Sequence, residues 1–166
     1  EDGSVSEYAG DTASASVVAD LGGNPVQHGD YALQLTGSSQ IQTGAGVLNA
    51  DAAAGEAFDW HCHLSSGEIA RHLFAVKDAN NHYISEVDNN GQALRLLVES
   101  SGTEVTIVED TTIVIPDDEW LQCNIDWQSD GSITMTVSEE DSGTQVGQIS
   151  GSDSTYSVGG HGWESL

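Results

Sequence analysis

Polar and apolar positions alternate in short runs along most of the chain, and helical periodicity is almost absent. Runs rich in Val, Ile, Thr and Leu are cut by clusters of Gly, Asn, Asp and Ser, which predicts strands joined by turns. The predicted strands are Ser14–Val18, Tyr31–Thr36, Ile41–Thr43, Ala57–Leu64, Ala70–Lys77, His82–Asp88, Ala93–Glu99, Glu104–Thr112, Trp120–Gln128, Ser132–Ser138, Gln145–Ser150 and Gly162–Glu164. Turn signals separate them at Asp78–Asn81, Asn89–Gly91, Ser100–Gly102 and Asp130–Gly131. A dozen short strands at this spacing imply an all-β, antiparallel two-sheet sandwich and not a parallel sheet. The alanine-rich stretch Leu48–Glu56 reads as one helical turn or a loop. Neither an internal repeat nor a linker is visible, so residues 1–166 read as one domain.

Turn spacing also assigns faces. A simple register across the Asp78–Asn81 turn pairs Lys77 with His82, Ala75 with Ile84 and Leu73 with Glu86. The next turn sets Glu86 opposite Arg95, Ile84 opposite Leu97 and His82 opposite Glu99. One face then gathers Phe74, Val76, Tyr83, Val87, Leu94, Leu96 and Val98, a core. The other gathers Arg71, Lys77, His82, Glu86, Asp88, Arg95 and Glu99, and so holds all three basic residues of the chain.

Charge narrows the partners. The 166 residues carry 27 acidic side chains against 3 basic ones, a formal net charge of −24. The acids run from Glu1 to Glu164 among apolar runs, which excludes a simple acidic tail. Salt near 1 M shortens electrostatic screening to roughly 3 Å, so this composition fits a halophilic protein. Arg71, Lys77 and Arg95 are too few to release counterions from a phosphate backbone, which excludes nucleic acid. No apolar run approaches the ~20 residues of a membrane-spanning helix, so membrane insertion is not expected. The chain begins at Glu1 without Met, consistent with a removed leader or excision from a larger protein.

Cys62 and Cys123 fall in two predicted strands without CxxC spacing, which argues against structural zinc. They read either as buried thiols or as a cross-strand disulfide. His61 and His63 share a strand face, and with His72 across from them they are a conceivable zinc site, although no acidic or cysteine ligand is placed with them.

The stretch Ala70–Tyr83 resembles the central hairpin of concanavalin A-like and laminin-G-like jelly-roll domains. Asp118–Gly131, with its two tryptophans and Asp-Gly turn, and Ser154–Tyr156 with Gly159–Trp163 are similar to later hairpin and closing segments of such domains. Glu1–Asp11 and Gly29–Leu33 look like their first strands. With the charge, this resemblance suggests a surface protein of a halophile, haloarchaeal or of a haloarchaeal virus. It implies a jelly roll with a sugar-binding groove on the solvent face of the larger sheet, here lined by Arg71, His82, Glu86, Asp88 and Arg95. It implies Ca²⁺ near the first strands, for which Glu1, Asp2, Asp11 and Asp30 supply oxygen donors. In related domains the Ala57–Leu64 and Trp120–Gln128 strands are neighbours, which lets Cys62 and Cys123 meet, and a last strand follows the glycine-rich segment. That strand is missing from this chain, trimmed from it or supplied by a neighbour.

Glycosidases of this fold carry a Glu-x-Asp-x-x-Glu strand. Glu86 and Asp88 match its first two positions, but Gly91 stands at the third, so the carboxylate pair that glycoside cleavage needs is incomplete. The expected function is therefore a non-catalytic extracellular module that binds a glycan or a cell-surface glycoprotein. The alternative is a structural domain of a virion appendage or surface layer, as part of a multidomain or oligomeric assembly.

Overall fold

A computed structural model describes residues 51–166 throughout. Before them it describes the segments Ala9–Gly10, Ala15–Ala19, Tyr31–Leu35 and Ser39–Gln42 together with Ala13. Those four segments are strands β1 to β4. They are followed by β5 (Ala52–Ala53), β6 (Glu56–Leu64), β7 (Ile69–Asp78), β8 (Asn81–Asp88) and β9 (Ala93–Ser100). The remaining strands are β10 (Thr103–Asp110), β11 (Glu119–Trp127), β12 (Ser132–Glu139), β13 (Gln145–Ser152) and β14 (Val158–Ser165). The fold is the expected all-β sandwich, and the Leu48–Glu56 stretch contributes the short strand β5 where a helical turn was an option.

The larger sheet runs β1-β4-β14-β7-β8-β9-β10, with β5 beside β14. The smaller runs β13-β12-β11-β6, and β2 pairs with β3 separately. β14 lies inside the larger sheet, between β4 and β7. The smaller sheet obeys simple alternation. Trp60, Cys62 and Leu64 of β6, Leu121, Cys123, Ile125 and Trp127 of β11, and Ile133, Met135 and Val137 of β12 are buried, while residues between them are more exposed. They meet Phe74, Tyr83, Val87, Leu94, Leu96 and Val98 of the larger sheet in one core. Phe74, Tyr83 and Trp127 pack edge-on or tilted at its centre, with ring centroids 5.2–5.6 Å apart. The Tyr83 hydroxyl donates to Asp153 Oδ1 at 2.7 Å, tying the Asp153–Tyr156 connection to the core. Burial, reinforced by that carboxylate, pushes the phenol's ionisation up.

The register of β8 on β9 is the expected one, with Glu86 opposite Arg95, Ile84 opposite Leu97 and His82 opposite Glu99. The register of β7 on β8 is not. Arg71 pairs with Glu86, Leu73 with Ile84 and Phe74 with Tyr83, and the pairing shifts between Phe74 and Asp78. Residues 75–77 of β7 stand there against His82 alone, a bulge with Ala75 in the left-handed region (φ 52°). The bulge sends Ala75 into the main core and turns Val76 to the opposite face, beside Leu73, Ile84 and Leu97. Gly159 of β14 passes directly over it: a Cβ there would collide with the Ala75 backbone, so only glycine allows the two strands to close.

Candidate functional site

The bulge preserves one feature of the expected groove face. Arg71, Glu86 and Arg95 stand in a single row across β7, β8 and β9, and the row continues in both directions: Glu164 of β14 lies opposite Arg71, and Glu109 of β10 opposite Arg95. The result is a five-strand ladder of alternating charge, Glu164–Arg71–Glu86–Arg95–Glu109. Arg71 Nη1 donates to Glu164 Oε2 at 2.8 Å and its Nε to Glu86 Oε2 at 2.6 Å. Arg95 Nη1 donates to Glu86 Oε1 at 2.5 Å and to Asp88 Oδ2 at 2.7 Å, and its Nε to Glu109 Oε2 at 3.2 Å. Each Glu86 oxygen is therefore held by a different guanidinium.

Arg71 also binds Glu104 of β10 through Nη1 at 2.8 Å and Nη2 at 3.3 Å. Those two strands are three inter-strand spacings apart, roughly 14 Å in a flat sheet. The two long side chains reach toward each other over the intervening strands β8 and β9. Between the charged rows this face is apolar: Leu73, Val76, Ile84 and Leu97 are all buried.

This burial corrects the expectation that these residues line an open solvent face. The side chain of Glu86 is only 2% exposed, Arg71 11% and Arg95 24%, and His82 is fully enclosed. Burial disfavours the Arg71 charge, but hydrogen bonds and charge from Glu164, Glu86 and Glu104 outweigh it and hold the guanidinium protonated beyond its ordinary range. Asp88, Glu86 and Glu109 do the same for Arg95. Burial acts to raise the Asp88 carboxyl, yet Arg95 and the Gly91 N–H bring it below the usual carboxylate range. Gly91 N donates to Asp88 Oδ1 at 2.6 Å, and a Cβ at Gly91 would strike that carboxylate. The residue at the third position of the glycosidase pattern is thus a glycine that gives Asp88 its room.

His82 sits at one end of the groove. Its Nδ1 lies 3.4 Å from the Asp78 carbonyl, which can only accept, so Nδ1 carries the proton. Its Nε2 is 3.1 Å from Glu99 Oε2 but out of line for a hydrogen bond, and has no other partner. Burial lowers the proton affinity of His82. Burial, then the charges of Glu104 and Glu164, raises that of Glu99. Lys77 is exposed beside the bulge and does not join the ladder. Among the described residues, no aromatic ring lies on the groove face of β7 to β10.

The three histidines considered for zinc do not converge. His61 and His63 lie on the outer face of β6, where His61 Nδ1 meets Glu140 Oε2 at 3.1 Å and His63 packs on Trp120. His72 belongs to the other sheet and points into the core, so β6 and β7 are not strand neighbours. Its Nε2 contacts His161 Nδ1 at 3.0 Å, within a nest of Phe58, Trp60, Phe74 and Trp163. Burial, and to a lesser degree His161, holds His72 well below the ordinary histidine value. Among the described residues, no group of three or more His, Cys, Asp or Glu side chains is arranged to hold a metal ion. Glu1, Asp2, Asp11 and Asp30, the expected Ca²⁺ donors, lie outside the described residues.

β6 and β11 are neighbours as expected, with Cys62 opposite Leu121 and Cys123 opposite Trp60. The cysteines are diagonal neighbours on the buried face, and both are free thiols. Burial, then the hydrogen bond and charge of Cys62, raises the Cys123 ionisation far above the ordinary thiol range.

Sequence reading missed Glu104, Glu109, Glu164 and His161. Glu109 stands opposite Arg95 only because β10 has its own register shift between Thr106 and Val108. Glu164 and His161 enter only because β14 inserts beside β7, which no local pattern announces.

No protein-family model matches the chain, and no curated protein matches it by sequence. Solved structures do match in fold. The carbohydrate-binding module CBM66 from Bacillus subtilis is 16% identical with a TM-score of 0.66, over 96% of this chain and 87% of that one. A protein of unknown function from Shewanella oneidensis is 10% identical with a TM-score of 0.57, over 91% and 70%. Chicken galectin 2 is 13% identical with a TM-score of 0.50, over 71% and 86%. At these identities the likeness establishes the fold, a jelly-roll sandwich shared with lectin-like proteins.

Proposed function

We propose that this chain is a non-catalytic carbohydrate-binding module that works outside the cell in high salt, with the charged face of the larger sheet as its binding groove. The observation that carries this reading is the state of Arg95. Its Nε and Nη1 are committed to Glu109, Glu86 and Asp88, while Nη2 makes no hydrogen bond among the described residues. A part-exposed guanidinium edge, locked in place by three carboxylates, is a preorganised pair of donors for sugar hydroxyls. The fold shared with CBM66 and a galectin supports the same reading.

The groove's chemistry favours binding over catalysis. Glu86 and Asp88 both serve arginines, and Asp88 is held ionised, so it does not supply the protonated acid that glycoside cleavage requires. With Arg71 and Arg95 both neutralised inside the groove, little positive charge is left to offset the acidic exterior, which supports adaptation to high salt.

A glycan array run in about 2–4 M NaCl tests the proposal. Arg95→Ala should weaken binding to the array's hits about tenfold, equivalent to ~1.4 kcal/mol. Hits whose affinity ignores Arg95 would move the site out of the groove, and an array without hits would end the carbohydrate reading. Melting temperature should also climb steeply from low salt to molar NaCl or KCl, and a flat curve would remove the halophilic reading.

A further inference from the structure

The ladder leaves an imbalance. Among the described residues, six carboxylates line the groove, those of Glu86, Asp88, Glu99, Glu104, Glu109 and Glu164, against the two guanidiniums of Arg71 and Arg95. Glu86, Asp88, Glu104, Glu109 and Glu164 each meet a guanidinium directly. Glu99, at the His82 end, has no guanidinium of its own and feels the negative charges of Glu104 and Glu164.

The second observation is His82. Its Nδ1 proton is turned toward the Asp78 carbonyl, so Nε2 presents a lone pair. That nitrogen is fully enclosed, lacks a hydrogen-bond partner and faces Glu99 Oε2 at 3.1 Å. A carboxylate oxygen is also an acceptor. Two acceptors in contact over an apolar floor repel each other, and an unsatisfied buried polar atom costs about 1–3 kcal/mol. A proton shared between the two atoms completes such a pair, and so does an external donor with several N–H bonds and a positive charge. An alkali metal ion suits oxygen ligands and not an imidazole nitrogen, and among the described residues no three-ligand metal arrangement stands there. A primary ammonium fits both acceptors at once.

We propose that the His82–Glu99–Glu104 end of the groove is a subsite for a primary ammonium group, and that the module prefers glycans bearing free amino sugars over their N-acetylated or acidic counterparts. The inference rests on the carbohydrate-binding reading and names its ligand class. Arg95 supplies donors to hydroxyls at one end of the groove, and Glu99 with His82 supplies acceptors to the amine at the other. Acidic glycans are repelled by the four surplus carboxylates.

The test uses paired oligosaccharides of glucosamine and N-acetylglucosamine, and of galactosamine and N-acetylgalactosamine, titrated calorimetrically against the intact chain in molar NaCl at mildly acidic pH. The amine form should bind about tenfold or more tightly than its acetylated partner. Glu99→Gln should collapse that ratio toward one, because its amide donates to His82 Nε2 and takes the place of the ammonium. The same variant should melt no lower than the wild type. On the wild type alone, replacing NaCl by methylammonium chloride at equal ionic strength should weaken the amine-bearing oligomer several-fold, and KCl should not. Equal or tighter binding of acetylated forms, or an amine preference that survives Glu99→Gln, overturns the subsite while leaving the carbohydrate reading intact. If no glycan binds but methylammonium selectively stabilises the wild type and not Glu99→Gln, the subsite stands and the carbohydrate reading falls. If neither occurs, both fall.

Discussion

The two sheets of this sandwich are built from similar alternating strands yet treat their second faces in opposite ways. In the smaller sheet, β11 and β12 bury every second residue and leave Gln122, Asn124, Asp126, Thr134 and Thr136 more exposed. In the larger sheet, β8 is buried at almost every position, β9 through most of its length and β7 through half of it. The first is a one-sided sheet whose outer face is a solubility surface. The second has two insides: an aromatic core toward its partner sheet, and a groove where an apolar floor is crossed by an ionic ladder. A strand buried on both faces ordinarily reads as a continuous apolar run. Here Arg71, Glu86, Asp88 and Arg95 keep the alternation polar, yet Glu86 and Asp88 are buried and the two arginines partly so, because each charge finds an opposite one on the next strand. Alternation therefore does not distinguish a solvated face from a groove, whereas strictly alternating signs of charge across the strands do.

The contrast breaks most sharply at Arg71. Arg71→Ala should cost about 3 kcal/mol or more, because it leaves Glu86 half-paired in a buried site and lets Glu104 and Glu164 face each other unscreened. Denaturant unfolding at fixed molar salt reads this directly, and a loss under about 0.5 kcal/mol would return the ladder to the class of surface pairs. In the core that both sheets share, Cys123→Ser should cost about 1–3 kcal/mol by placing a hydroxyl on a fully buried face. Under non-reducing conditions both thiols should resist alkylation in the folded protein and both should label once it is unfolded. Mass spectrometry showing no label after unfolding would instead establish a disulfide.

A smaller effect separates the two sheets by pH. His72, His161 and His82 all belong to the larger sheet, and burial is the leading cause that lowers the proton affinity of each. For a group whose folded-state value is depressed, the unfolded chain takes up the proton first as pH falls. Stability is therefore full above the unfolded value of about 6.5 and declines below it, by up to roughly 1.4 kcal/mol per pH unit for each histidine involved. Glu99, whose value is raised, acts in the opposite sense lower in the acid range. His72→Phe should flatten the decline between about pH 6.5 and 5 by one proton, and an unchanged slope would show that His72 takes no part. The smallest expected effect is the control on the smaller sheet. Asn124→Ala removes an exposed bond to Asp59 and should change stability by no more than about 0.5 kcal/mol.

The sequence alone determined the sandwich, most strand positions, the core faces of β8 and β9, and the row containing Glu86 and Arg95. Each of these follows from period-two alternation and from a short turn that sets register between adjacent strands, and both are local. The tertiary structure decided the rest. The bulge at Ala75 exists because β14 brings Gly159 against it, and it moves Val76 from one face to the other. The same insertion of β14 supplies Glu164 to Arg71 and His161 to His72, partners 93 and 89 residues away in sequence. Glu104 reaches Arg71 across two intervening strands. Burial, finally, turns a row of charges from a solvated face into a fixed, partly unsatisfied groove. A residue's pattern records which side of its own strand it occupies, but what stands opposite that side is set by strands distant in the chain.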